Sequence, residues 1–327
     1  MKKFIVLFMA LVAMCVTTAK AQSSLLATLN HEGTITTFYG TTALQKAHES
    51  AADGDVITLS SGTFQSVNIT KAITLRGAGM ALDAASQTEP TVLANDFNIT
   101  ISEETTQRLT IEGIYTNQQV NIKKLKNAMF LKDRFKRIDA GNGSNQNATD
   151  LTFIHCKIAE NYYGAEQTYN SALFQNCIIG CITGYNYSFK NCVLARKDYD
   201  HTLCNNSEYK SCVIKSARDY GASITMYNNL YTARWSLSIP NNTNVEVADD
   251  SEAIKNLLVY SDDNDYKLTE EAKALIKGVD GTEVGIYGGS LPFDSTPTNP
   301  QISKFNVAAK TTADGKLSVD IEVKSAE

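Results

Sequence analysis

The chain has 327 residues, of which 43% are hydrophobic and 20% charged, enough apolar material for a core and too much for a disordered chain. Removing Lys2, Lys3 and Lys20 with the leader described below leaves 27 basic against 35 acidic residues, a balance of −8. That balance speaks against bulk attraction to nucleic acid or to an anionic membrane. Four scattered histidines (His31, His48, His155, His201) speak against a histidine-rich metal site.

Residues 1–21 read as an export signal: Lys2 and Lys3, then an apolar run over 4–16, then Ala19-Lys20-Ala21 as a small-x-small cleavage pattern. The run is too short for a bilayer core of roughly 30 Å. Met14 before Cys15 does not fit a lipid-attachment motif, and no later stretch reaches the roughly 18 apolar residues of a membrane helix. The expectation is an exported protein, periplasmic, cell-surface or secreted.

Next in chain order, Leu44, Ala47 and Ala51 give 41–52 the spacing of a short amphipathic helix. Residues 52–64 then alternate as a strand and turn at Ser61-Gly62, and 69–79 follow as further strand. Between 123 and 137, Lys123, Lys124, Lys126, Lys132, Arg134, Lys136 and Arg137 set seven bases against Asp133. This run reads either as a solvated face or as an anchor for acidic polysaccharide.

The most informative feature follows. Phe153-Ile-His-Cys156, Phe174-Gln-Asn-Cys177, Phe189-Lys-Asn-Cys192 and Tyr209-Lys-Ser-Cys212 repeat one pattern, each with an aliphatic residue two positions on. The cysteines are 21, 15 and 20 residues apart, and Met226-Tyr-Asn-Asn229 continues the series with asparagine in the cysteine slot. Backwards it extends through Phe130-Leu-Lys-Asp133 and, more loosely, Leu109-Thr-Ile-Glu112. A period near 20 with one β-rich motif per repeat and no helical stretch predicts an all-β solenoid of short strands. Stacked coils place equivalent residues about 4.8 Å apart, so Cys156, Cys177, Cys192 and Cys212 should form a buried ladder of free thiols rather than a disulfide framework. Asn176, Asn191 and Asn228 precede that slot, as turn residues or as outward-facing ones.

The segments leaving the motif bring Arg196, Arg218 and Arg234 together with Tyr163, Tyr185, Tyr199, Tyr220 and Trp235. Aromatic faces suit sugar rings and guanidinium forks suit carboxylates. Asp198, Asp200 and Asp219 are the nearby acids, and Asp262-Asp-Asn-Asp265 reads as a turn. The bland alternative is a row of solvated turn charges.

After Pro292, the prolines at 292, 297 and 300 punctuate a linker; then Phe305-Asn-Val and the alternating Leu317, Val319, Ile321 and Val323 predict two strands joined by a Gly turn. The organisation is thus leader 1–21, solenoid 22–291 with its cap at 41–52, and a 292–327 tail that docks on the solenoid or on a surface partner.

The segment Gly54-Asp-Val-Ile-Thr-Leu…Gly62-Thr-Phe…Ile73-Thr-Leu-Arg-Gly-Ala-Gly79, with Asp265-Tyr-Lys-Leu268…Gly285-Ile-Tyr-Gly-Gly289 as a closing segment, resembles exported bacterial proteins of the pectate-lyase-like superfamily. The resemblance covers roughly 35–290. It implies a right-handed parallel β-helix whose open end is covered by the 41–52 helix, and it is specific for fold rather than activity. Two functions follow. One is polysaccharide binding along the Arg/Tyr/Trp flank, with Tyr163, Tyr199, Tyr220, Arg234 and Trp235 as contacts. The other is a lyase acting on acidic glycans by β-elimination, with Arg196 or Arg218 as base, Asp198 and Asp219 as acidic partners, and Ca²⁺, if used, held by Asp198 and Asp200. The catalytic set is incomplete against that superfamily, so binding is preferred.

Overall fold

A computed structural model describes residues 25–327 except 84, 85, 87, 103, 142–146, 165–170, 196–200, 219–222, 234–242, 249–260, 262, 263, 309, 313 and 325–327; for 147, 201, 202, 216, 218, 301–305 and 324 it describes the backbone alone. The expectation for 1–21 lies outside these residues. The protein is a parallel β-solenoid of about 7 turns, 49% strand and 6% helix. Parallel neighbours cannot be joined by hairpins, so the chain circles once per rung, and each full coil contributes strands to three sheets.

The first sheet runs from Val56–Leu59 through Thr74–Arg76, Leu109–Glu112, 128–131, 151–154, Ala172–Gln175, Tyr187–Lys190 and Ser207–Lys210 to Ile224–Tyr227. The second begins at Gly62–Phe64 and Thr91–Leu93 and ends at Val245–Glu246. The third contains Phe97–Thr100, 120–124, 137–140, 161–164, Ile182–Thr183 and, further along, His201–Thr202 with 217–218.

The repeat sets the register. Phe130, Phe153, Phe174, Phe189, Tyr209 and Met226 pair rung by rung in the first sheet. The five rings are fully buried and stacked 4.6–5.1 Å apart within 10° of parallel. Each such pair adds roughly 0.5–1.5 kcal/mol beyond the area it buries. The backward extension is corrected by two residues: Ile111, not Leu109, pairs with Phe130. Its rung therefore places Glu112 opposite Leu131, where it binds Arg76 at 2.9 Å.

The cysteine ladder is present, with Cys156, Cys177, Cys192 and Cys212 free and buried. Each thiol donates to the carbonyl two residues before it, and the first three also reach the carbonyl of the preceding coil's phenylalanine at 3.3–3.4 Å. The slot thus wants a small donor. Asn229 meets the same demand with an amide, donating to Tyr209 O at 2.9 Å.

The residue before that slot forms a second column. Lys132, His155, Asn176, Asn191, Ser211 and Asn228 all have φ between 49° and 56°, the left-handed turn that asparagine tolerates best. Their side chains hold the C-terminal segment as a strap running back along the solenoid. Asn228 Nδ2 donates to Lys277 O, Val279 N–H donates to Ser211 Oγ, and Asn191 Nδ2 reaches Glu283 O at 3.5 Å. Asn176 Nδ2 donates to both Ile286 O and Gly288 O at 2.8 Å. His155 Nε2 binds Leu291 O, and Lys132 Nζ binds Asp294 at 2.7 Å and Thr296 O at 2.9 Å. Asn299 finally donates to Gly77 O near the opposite end. At Gly288 a Cβ would sit 1.7 Å from the Glu283 carbonyl oxygen, so the strap bends there only with glycine. The proline-punctuated 292–299 is therefore bound to the coils rather than a free linker.

The strap also covers a sheet face. Ile178, Val193, Val213 and Leu230 pair in register on the outside of the second sheet and are buried beneath Tyr266, Leu268, Ala272, Ile276, Val284 and Ile286. At the other end the helix Ala43–Ser50 lies within the predicted 41–52, with Ala43, Leu44 and Ala47 fully buried. Lys71 Nζ donates to the carbonyls of His48, Glu49 and Ala51, satisfying the helix's C-terminal end. An antiparallel hairpin, Leu26–His31 with Thr34–Tyr39, adds to the cap, because Leu26–His31 also pairs with Val56–Leu59 of the first coil. The tail forms the two predicted strands, Gln301–Val307 and Val319–Lys324, paired antiparallel. Val307, Leu317, Val319, Ile321 and Val323 are 45–56% exposed.

Candidate functional site

With the second sheet covered over its C-terminal rungs, the outer faces of the first and third sheets are, among the described residues, left for a ligand. On the third, strand 137–140 lies between 119–121 and 161–164. Arg137 lies over the Tyr163 ring at 4.6 Å, and one corner earlier Arg134 lies over Tyr115 at 4.5 Å. Such contacts hold a guanidinium flat against the ring. Lys136 lies 4.0 Å from Glu160, a half-exposed pair that contributes little stability. Tyr163 pairs in register with Asp139 on one side and Thr183 on the other.

The basic run and the Arg/Tyr/Trp flank, two separate patches in the sequence, therefore meet at the Arg137–Tyr163 contact. Not all of the run belongs there. Lys132 is buried in the strap corner, and Asp133 is fully buried in the column of the cysteines, accepting from Ile114 N–H at 2.8 Å. Burial pushes the Asp133 carboxyl well above the usual range. Lys124 ends the third-sheet segment 120–124, and Lys126 lies just beyond it; they pair with Asn147 and Thr149.

Of the sequence-predicted contacts, Tyr163 is placed on this face. Arg218 ends the strand Val213–Arg218 in register with Thr202. Arg196 precedes the strand His201–Thr202 in the chain. Ala217 pairs with Ala233, the residues before Arg218 and Arg234. Arg196, Asp198, Tyr199, Asp200, Asp219, Tyr220, Arg234 and Trp235 lie outside the described residues, as does the side chain of Arg218. Among the described residues, no group of three or more His, Cys, Asp or Glu is placed to hold a metal, and the two candidate Ca²⁺ ligands, Asp198 and Asp200, are not among them.

Sequence reasoning missed the Arg134–Tyr115 and Arg137–Tyr163 stacks, because their partners are 19 and 26 residues apart in different coils. It also missed the covered second sheet, although Ile178-Ile179, Val193-Leu194 and Val213-Ile214 are apolar on both faces, the mark of a strand buried on both sides. Comparison with protein-family models, curated proteins and solved structures finds no match.

Proposed function

We propose that this protein binds an acidic polysaccharide along the outer face of the third sheet. The observation that carries the reading is the Arg137–Tyr163 stack, which joins the basic 134–137 segment to the third sheet, the sheet that further along holds 217–218. A chain lying along the solenoid axis would meet one rung about every 4.8 Å, with guanidinium groups for its carboxylates and tyrosine rings for its sugar faces. The kinship with pectate-lyase-like proteins and the export of the chain belong to the same proposal, and both rest on the sequence motifs.

The test is calorimetric binding to polygalacturonate and alginate. Arg137→Ala and Trp235→Ala should each weaken binding, the arginine by roughly 1.5–3 kcal/mol, as for hydrogen bonds to charged groups, while melting stays within about 0.5 kcal/mol of wild type. Unchanged binding in both variants would refute the flank. Absorbance of unsaturated uronate products, followed on the same glycans with and without Ca²⁺, separates binding from the lyase alternative.

A further inference from the structure

A groove of about 620 Å³ lies on the first sheet. Its floor is one straight row, Thr152, Leu173, Ser188, Glu208 and Thr225, each paired in register with the next. Its lip is the corner before those strands, where side chains bond from rung to rung. Ser171 Oγ accepts from Asp150 N–H at 2.8 Å and donates to Asp150 Oδ1 at 3.2 Å. Asn206 Nδ2 donates to Asn186 Oδ1 at 2.5 Å. Asp150, Asn186 and Asn206 all hold left-handed backbone, φ 49–61°, which fixes the direction in which this lip leaves the sheet.

The chemistry of this lining differs from that of the flank. Hydroxyls and amides both donate and accept, as sugar hydroxyls do, and Leu173 supplies one apolar patch on the floor. The two ionised residues among the described lining are both acids, Asp150 and Glu208. Glu208 is already paired with Lys210 at 2.8 Å. Among the described lining a polyanion finds no cation and meets like charge at Asp150. An uncharged chain finds repeated hydrogen-bonding partners at a spacing close to the length of one pyranose unit, on side chains already tied to one another and so ordered at little further entropic cost. We infer that the groove on the first sheet is a second binding site, for a neutral linear polysaccharide, separate from the acidic-glycan flank.

The experiment uses the full mature chain and isothermal titration with xylohexaose, cellohexaose and mannohexaose, with hexagalacturonate as the acidic counterpart. Ser188→Arg puts a long side chain across the middle of the floor, and Asn206→Ala removes one lip donor without entering the floor. The site predicts binding of at least one neutral hexasaccharide, weakened by at least about tenfold in Ser188→Arg and measurably in Asn206→Ala, with unaltered melting and no change in Arg137→Ala. Three results overturn it: no neutral hexasaccharide binds the wild-type protein, both groove variants bind as wild type does, or Arg137→Ala loses neutral binding as strongly as Ser188→Arg. Hexagalacturonate binding that survives in Ser188→Arg and fails in Arg137→Ala reports on the flank alone, so either site can fail without the other.

Discussion

At the scale of single residues, the core slots are defined by hydrogen bonding as much as by volume. The cysteine ladder donates to carbonyls at the corner of each coil, and Asn229 does the same work with an amide. Burial pushes the Cys177 and Cys212 thiols well up and Cys204 up to about 12, so these thiols are poor nucleophiles in the folded protein. With iodoacetamide at neutral pH, Cys181, the half-buried one, should be labelled first. Cys156, Cys177, Cys192, Cys204 and Cys212 should label only after denaturation; native labelling of the four ladder positions, or their pairing in a disulfide map, contradicts the ladder. Two buried histidines give stability a pH dependence. Thr70 N–H donates to His48 Nε2 at 3.2 Å, which requires a neutral ring, and burial with nearby Lys71 lowers its pKa below 6.5. Burial likewise lowers that of His155. A base with a depressed folded pKa contributes stability that is complete above the unfolded value and lost as pH falls below it. His31, raised by Asp55, has the opposite sign: its contribution is present below 6.5 and lost as pH rises through its folded pKa. Its ring is half exposed, so the buried pair dominates. Melting temperature should therefore fall from about pH 7.5 to about pH 5, and His48→Gln combined with His155→Asn should flatten that slope; an equal slope in the double variant removes the two histidines as its cause.

At the scale of elements, the strap is the feature that local sequence did not reveal. Phe-x-x-Cys repeats are legible because stacking demands the same residue at the same place in every coil. The strap binds mainly through its own backbone carbonyls, which leave no trace in residue identity, and its partners stand 49 to 222 positions away. The N-terminal hairpin was legible in principle, since Gly33 ends a tight turn ahead of a β-branched and aromatic Thr-Ile-Thr-Thr-Phe-Tyr run, but an antiparallel cap interrupts the parallel pattern that the repeats suggest. Asn176 measures the strap. Asn176→Gly keeps the φ of 49° and removes the donors to two buried carbonyls, a cost of about 1–3 kcal/mol. Asn176→Ala adds the left-handed penalty of roughly 1–2 kcal/mol. Chemical denaturation should rank wild type above Gly above Ala, and a Gly variant as stable as wild type would show that the strap bonds contribute nothing. The cap predicts a different failure. Deleting 41–52 exposes the first coil's edge and removes the three carbonyl acceptors of Lys71, so light scattering should report aggregation; a monomeric deletion variant with unchanged melting contradicts the cap assignment.

At the scale of the whole molecule, the solenoid offers three faces with three different fates. The second is closed by the strap over its C-terminal rungs, the third carries stacked arginines and tyrosines, and the first carries a polar groove. The fold was legible because a period near 20 admits few architectures. The candidate site was legible only as composition: Arg137 and Tyr163 are unrelated in the sequence, and coil register alone brings them to 4.6 Å. Position on a rung, rather than residue type, thus decides which of seven neighbouring bases faces a ligand and which, like Lys132, holds the strap. Hydrogen exchange of the full chain with and without bound hexagalacturonate tests that claim most directly. The account predicts slowed exchange along the third sheet and the corner that leads into it, over 134–140, 161–164, 182–183 and 217–218, with the first-sheet strands 151–154, 172–175 and 187–190 unchanged. Protection confined to the first sheet, or none on 134–140 and 161–164 at saturating ligand, would contradict it.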